Sequence, residues 1–360
     1  AAAARGADVA LLEQSAEIGG TVAHALIHTL GGLLDDQGEI LNPGLTEELI
    51  RRLTEASPQT AKRRIGKTWT LSVDPAVYLA VVSRWLAEYP TITVFRHATV
   101  KHVSAEAGRI TEVAFGHNGE NRAVRPYALI DASGHAAVVR GLAAELAADG
   151  EALAGLIVQL RGVAAHALQF PKGVALLRTI RKAAETGDLS AECATLWLDS
   201  GVYADEAYIK FNLPAAEYDP LRMAEVARRL LAYLQAQPAF ADAYISASGK
   251  LGIRDGGRVQ GEYVLTEDDL RQGRHFDDAV CAACWPIEYW HPQHGVSLEY
   301  FPPGQRYQIP LRALTVKGFT NLYVAGKCFS AEPLALASAR VAGSCWAMGE
   351  GLVKSLFQET

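Results

Sequence analysis

The sequence has no uninterrupted apolar run of the roughly 20 residues that a membrane-spanning helix needs, so a span of that kind is not expected. Cysteine is sparse. Five in a chain of 360 residues make no disulfide framework, which points to a reducing compartment. An excess of basic residues is also missing: 34 Lys and Arg stand against 40 Asp and Glu, for a net charge of −6. Nucleic-acid binding requires a basic footprint, so a phosphate-backbone partner is excluded. The one dense basic stretch, "AKRRIGK" at 61–67, is expected to be a solvated face or loop rather than an anion site. The opening residues carry no signal-peptide pattern. There is no internal repeat and no low-complexity tract apart from an Ala-rich stretch expected to be helical around 136–154. What is present is ordinary for a soluble globular chain, 49% hydrophobic and 21% charged residues. A cytoplasmic protein of two domains is expected, because single cores seldom grow past about 250–300 residues.

The first residues are informative. "AAAARGADVALLE" reads as the end of a small-residue helix, a stop at Gly6, and a buried strand Val9–Leu12 with Glu13 at its tip. Helix, glycine, strand and acid in that order form the second half of a dinucleotide-binding βαβ unit, in which the acid accepts hydrogen bonds from ribose hydroxyls. The glycine-rich turn of such a unit lies about 20 residues before the acid. It is therefore expected ahead of residue 1. The alternative is that Glu13 merely ends an ordinary crossover.

Two later stretches have related character. "YALIDASGHAAVV" (127–139) is an apolar strand running into Asp131-Ala132-Ser133-Gly134, where small residues let backbone approach a ligand. "GFTNLYVAGKCFSAEPLALASARVAGSCWAMGEGL" (318–352) gives a strand Leu322–Ala325, then Gly326-Lys327 and a long small-residue helix. A helix start beside a glycine turn suits a phosphate or an anionic flavin edge.

Together with the acid-then-Gly19-Gly20 segment and "GEYVLTEDDL" (261–270), these stretches resemble the FAD-dependent oxidoreductases of the glutathione-reductase-type fold. The resemblance implies an α/β chain, with a three-layer Rossmann-like FAD-binding domain and an inserted α+β substrate domain. It implies that Glu13 binds the adenosine ribose, that Gly19, Gly20 and Thr21 pass close to the cofactor, and that Val100 lies by the adenine. It also implies that Ala132, Ser133 and Gly134 support the cofactor and that Gly326, beside Lys327, opens a helix facing the isoalloxazine. The cofactor domain is expected over 1–165 and 310–360, and the substrate domain over 166–309.

Candidate chemistry concentrates in "CAACWPIEYWHPQHGVSLEYFPPGQRYQIP" (281–310), expected as a loop-rich aromatic roof over the flavin. A flavin enzyme needs apolar walls and a group to move the proton that accompanies hydride transfer. His291 and His294 are the candidates for that proton, with Tyr300 and Arg306 as orienting or charge-stabilising groups. Arg340 lies in an otherwise apolar stretch, so it must be paired or ligand-facing. It is counted with the cofactor contacts, a structural salt bridge being the alternative. Cys281 and Cys284 have redox-dithiol spacing, and with His291 and His294 a zinc-like pattern. Small buried cysteines are the preferred reading, and no metal is expected. His24 and His28 would share one face of a helix.

The function expected is hydride transfer between FAD and a small organic substrate, of dehydrogenase or oxidase type, with a homodimer as the favoured assembly. The alternatives are a flavoprotein-fold subunit without cofactor and an NAD(P)H-using monooxygenase.

Overall fold

Local chemistry fixes several element ends. Asp74 and Asp219 each precede a proline, and their carboxylates accept N–H bonds from Ala76 (2.8 Å) and from Leu221 and Arg222 (2.8 and 3.1 Å). Proline at the first helical position has no N–H to satisfy, so helices Pro75–Ala87 and Pro220–Gln235 start there. Thr266 and Asp269 form a reciprocal capping box on helix Glu267–Arg271, which accounts for "TEDDL" as a helix start. The structure, a computed structural model, describes residues 1–150, 153–291 and 294–357.

The α/β body contains two parallel strand pairs. Val9–Leu12 lies beside Ile92–Phe95, and Leu129–Asp131 beside Leu322–Val324; no ladder joins the pairs among the described residues. Gly6, at φ +83°, ends the short turn Ala3–Arg5 just before the first strand, as expected. An antiparallel three-stranded sheet, Thr99–Glu106, Arg109–His117 and Glu120–Val124, turns at Ala107-Gly108 and packs Val103, Ile110 and Val113 into the main core. Asn321, buried under it, accepts the Ile110 N–H at 2.8 Å and donates to the Ile110 and Tyr127 carbonyls at 3.1 Å each.

The second body is a five-stranded antiparallel sheet. Leu153–Arg161 is paired with Ala207–Pro214 on one side, and with Tyr244–Ser248 and Gly252–Ile253 on the other; Trp197–Ser200 extends the first side. Helices Lys172–Thr186 and Pro220–Gln235 bury Ile180 and Leu230 in the same core as Leu160 and Phe211. This sheet begins at Leu153, ahead of the boundary expected at 166. Residues from Val259 onward rejoin the main core with Leu265, Tyr307 and Leu322.

Four local expectations change. The Ala-rich stretch is not one helix: Ala137–Leu142 ends at Ala143, and Ala147–Ala148 pairs with Arg258–Val259. Residues 281–310 are not mainly loop. Ala279–Ala283 pairs with Tyr307–Pro310, and Ile287–His291 forms a hairpin with Gly295–Glu299. "AKRRIGK" keeps the expected solvated face but as a strand rather than a loop, the first arm of a hairpin, Ala61–Ile65 to Thr68–Ser72, in which Arg63 ion-pairs with the buried Asp199 at 3.2 Å. The terminal helix is broken into Pro333–Ala339 and Ala342–Leu356, and Gly326 does not open it, because residues 327–332 intervene. Just past the break the second helix packs closely: a Cβ on Gly343 would lie 2.3 Å from the backbone of Gly32 and Leu33. No helix among the described residues is long and apolar enough to cross a membrane.

Candidate active site

The strand tip places Glu13 between two backbone anchors. Its N–H donates to the Phe95 carbonyl and its own carbonyl accepts from Ala98, both at 2.9 Å. Oε1 accepts the Ser15 N–H at 2.7 Å, and the other carboxylate oxygen has no hydrogen-bond partner among the described residues. The chain then turns through Gly19 (φ +127°) and Gly20 (φ +55°), where a side chain would strain the backbone, into the short helix Gly20–His24 with Thr21 exposed. Val100 is exposed on its strand.

At the other parallel pair the buried Asp131 organises a turn. Its two oxygens accept the Ser133 and Val138 N–H groups at 2.9 Å each, and Ser133 Oγ accepts from Ala137 at 2.9 Å. Ala132 and Ser133 are exposed, and Gly134 (φ +78°) leaves no room for a side chain, since a Cβ there would lie 2.6 Å from Lys327 Cε. Lys327 donates to the Ile253 carbonyl, and burial together with Arg340 holds its pKa below the ordinary lysine value. These surroundings suit FAD: a carboxylate with a free oxygen fits ribose hydroxyls, and an exposed turn against a buried cation fits an anionic group.

Near Lys327 a narrow cleft, partly open to solvent, lies between the antiparallel sheet and the broken helix. Leu153, Arg254, Glu288, Trp290, Leu336 and Arg340 line it. Glu288 and Trp290 are two apart on one strand and so share a face. Trp290 Nε1 donates to Glu288 Oε1 at 2.5 Å, and Trp285 Nε1 to Oε2 at 2.9 Å. Arg254 donates to Asn212 Oδ1 at 2.9 Å, with its guanidinium 4.3 Å above the Trp290 ring. Arg340 donates to the Glu288 carbonyl at 3.2 Å. Burial pushes the Arg254 pKa down to about 9, Arg340 adds to that, and Glu288 opposes it. Arg340 is lowered by burial as well, against the pull of Glu288. Both remain cations at neutral pH.

The other sequence-predicted residues are dispersed. His291 and His294 stack on each other, ring centroids 4.4 Å apart, at the end of the 287–299 hairpin; neither lines the cleft. Tyr300 packs beside Gly66 with Lys67 Nζ 5.3 Å from its ring centre. Arg306 ion-pairs at 2.6 Å with the buried Asp35, which also accepts two backbone N–H bonds. The structure thus joins the two histidines and places Tyr300 and Arg306 elsewhere. Cys281 and Cys284 are free thiols, both raised by burial, Cys284 to about 12. Among the described residues no three His, Cys, Asp or Glu side chains could share a metal ion. His24 and His28 do not share a helix face: the helix ends at His24, and His28 is buried against Asp199 at 3.2 Å. Sequence reasoning missed Arg254, Asn212 and Glu288. The alternation in "WPIEYW" was the one available signal, since it sets Glu288 and Trp290 side by side.

No curated protein matches the chain in sequence. Among solved structures, a geranylgeranyl bacteriochlorophyll reductase-like protein from Thermoplasma acidophilum is similar at 12% identity and a TM-score of 0.47, over 99% of this chain and 74% of that one. The p-nitrophenol 4-monooxygenase of Pseudomonas putida is similar at 8% identity and a TM-score of 0.48, over 99% and 76%. The family model described as FAD dependent oxidoreductase matches residues 1–352. With that match over almost its whole length, the chain belongs to the FAD dependent oxidoreductases.

Proposed function

We propose that the protein transfers a hydride between FAD and a small organic substrate, as a dehydrogenase or oxidase. The observation that carries this is the cleft between the antiparallel sheet and helix Pro333–Ala339, which adjoins the Gly134 and Lys327 turns through Arg340. FAD supplies the hydride acceptor or donor. The chain's own part is to hold the substrate between apolar walls, keep water from it, and handle the proton. Leu153, Pro333, Leu336 and Ala337 provide the walls. The stacked pair His291 and His294 is on the hairpin that carries the cleft-lining Tyr289 and Trp290 and, standing outside the lining, is assigned the relay of the proton between cleft and solvent. Tyr300 and Arg306, engaged elsewhere, have no role in this scheme.

The test is anaerobic mixing of the FAD-loaded protein with a panel of alcohols, amines and hydroxy acids, watching the visible flavin bands. Bleaching by one of them without a nicotinamide, reversed by oxygen or an artificial acceptor, is the expected result. Bleaching by NADPH alone would replace this reading with a monooxygenase, and failure of every panel member to bleach bound FAD would overturn it.

A further inference from the structure

Two guanidiniums turned into one cleft raise each other's energy, and buried charges are ordinarily paired. Here they are not. Arg254 and Arg340 make no ion pair with any carboxylate among the described residues; their partners are an amide oxygen, a backbone carbonyl and the face of an indole. The one acid lining the cleft beside them with its carboxylate fully engaged is Glu288, whose two oxygens each take an indole N–H. Asp255 also lines the cleft, but its carboxylate faces Arg258 Nε at 3.7 Å and accepts the Gly257 N–H. With Asp255 shared between Arg258 and the cleft cations, the two arginines and the neighbouring Lys327 outnumber Glu288, and the site carries an excess of positive charge. Asn212 and Trp290 hold Arg254 in place, so the fold maintains this excess through dedicated contacts.

We propose that the cleft binds the carboxylate of a small organic acid at Arg254 and Arg340, with the acid's apolar body against Leu153, Pro333, Leu336 and Ala337. The inference rests on the cleft being the substrate site of the proposed hydride transfer, and it names the substrate class. Guanidinium donors favour such planar, charge-assisted recognition. A neutral substrate would leave the excess positive charge without a counter-charge, the situation in which polar sites discriminate most strongly.

The test titrates FAD-loaded protein with acetate, lactate and benzoate, and with benzamide as the neutral analogue of benzoate. It follows the flavin spectrum and, independently, tryptophan fluorescence, since Trp285 and Trp290 adjoin the site. At least one acid is expected to saturate, with benzamide weaker than benzoate. Arg254→Met and Arg340→Met should each weaken the acid by about tenfold or more while FAD affinity holds. Arg254→Lys and Arg340→Lys, which keep the charge and have the better prospect of folding, should recover part of the loss. The proposal is overturned if no acid saturates, if benzamide matches benzoate, or if the Met or Lys variants leave acid affinity unchanged. It is overturned also if the variants lose FAD but retain acid binding by fluorescence, because the cations then serve the cofactor. Arginine-dependent acid binding by fluorescence, with no flavin reduction by any substrate, would uphold the anion site and defeat the hydride-transfer reading alone.

Discussion

His28 stacks on Tyr208 with ring centroids 3.6 Å apart and planes 9° from parallel, and its Nε2 lies 3.2 Å from Asp199 Oδ2. The pair joins the N-terminal segment to the antiparallel sheet. Burial, reinforced by Lys210 and opposed by Asp199, pushes the His28 pKa down to about 4. The folded chain therefore binds fewer protons than the unfolded chain between about pH 4 and 6.5, and stability falls as pH drops through that window. The loss has a ceiling of about 3 kcal/mol. Asp199 is disfavoured as an anion by burial, yet Lys210, His28 and Arg63 hold it below the usual carboxylate range, so a further loss follows at more acid pH. Urea midpoints at about pH 8 and about pH 5 should differ in the native protein and converge in His28→Gln.

Gly343→Ala should destabilise the protein by about 2 kcal/mol, since the added methyl meets the backbone of Gly32 and Leu33, which cannot rotate away. Gly349→Ala, with open space at the same helix, is the control and should leave the denaturation midpoint unchanged or slightly raised.

Glu13→Ala removes the acceptor assigned to the ribose hydroxyls. FAD affinity should fall by about tenfold, measured by equilibrium dialysis, while thermal stability without added FAD changes little.

The histidine pair bears on the proton. His291→Gln combined with His294→Gln should slow flavin reduction by about a hundredfold, read by stopped-flow absorbance, without weakening acid binding. An unchanged reduction rate would remove the pair from the chemistry.

Cys284, raised to about 12 by burial and by Asp35, carries little thiolate at neutral pH, and Cys281 is raised by burial too. Iodoacetamide should label both slowly in the native protein and quickly after unfolding, and Cys284→Ser should leave turnover intact.

Much of the fold was legible where the signal is local. Gly6 before an apolar run announced the first strand, with Glu13 at its tip. The break at Arg340 was hidden, because "LALASARVAGSCWAMG" is continuous in small-residue helical character. Just past it a distant glycine pair, Gly32 with Gly343, packs backbone on backbone. Nothing local in "GIRDGG" marks Arg254, and only the pairing of Ile253 with Ala154 carries it to the cleft. Asp199 lies 171 residues from His28, a distance over which periodicity says nothing. The cofactor side was more readable, since Glu13, Gly134 and Lys327 lie in short strand-and-turn motifs. The substrate side depended on pairings between segments far apart in the chain.

The contact between Gly343 and the Gly32–Leu33 backbone has a consequence for redesign. Arg340 lies three residues before that contact, and its own N–H donates to the Leu336 carbonyl at 3.0 Å. Leu153, Leu336 and Ala337 are buried in the cleft wall, so trimming them would admit differently shaped molecules while the backbone holds the cation. The scaffold thus separates the choice of shape from the choice of charge, and a library varied at those three positions should change which acids fit without changing the demand that they be acids.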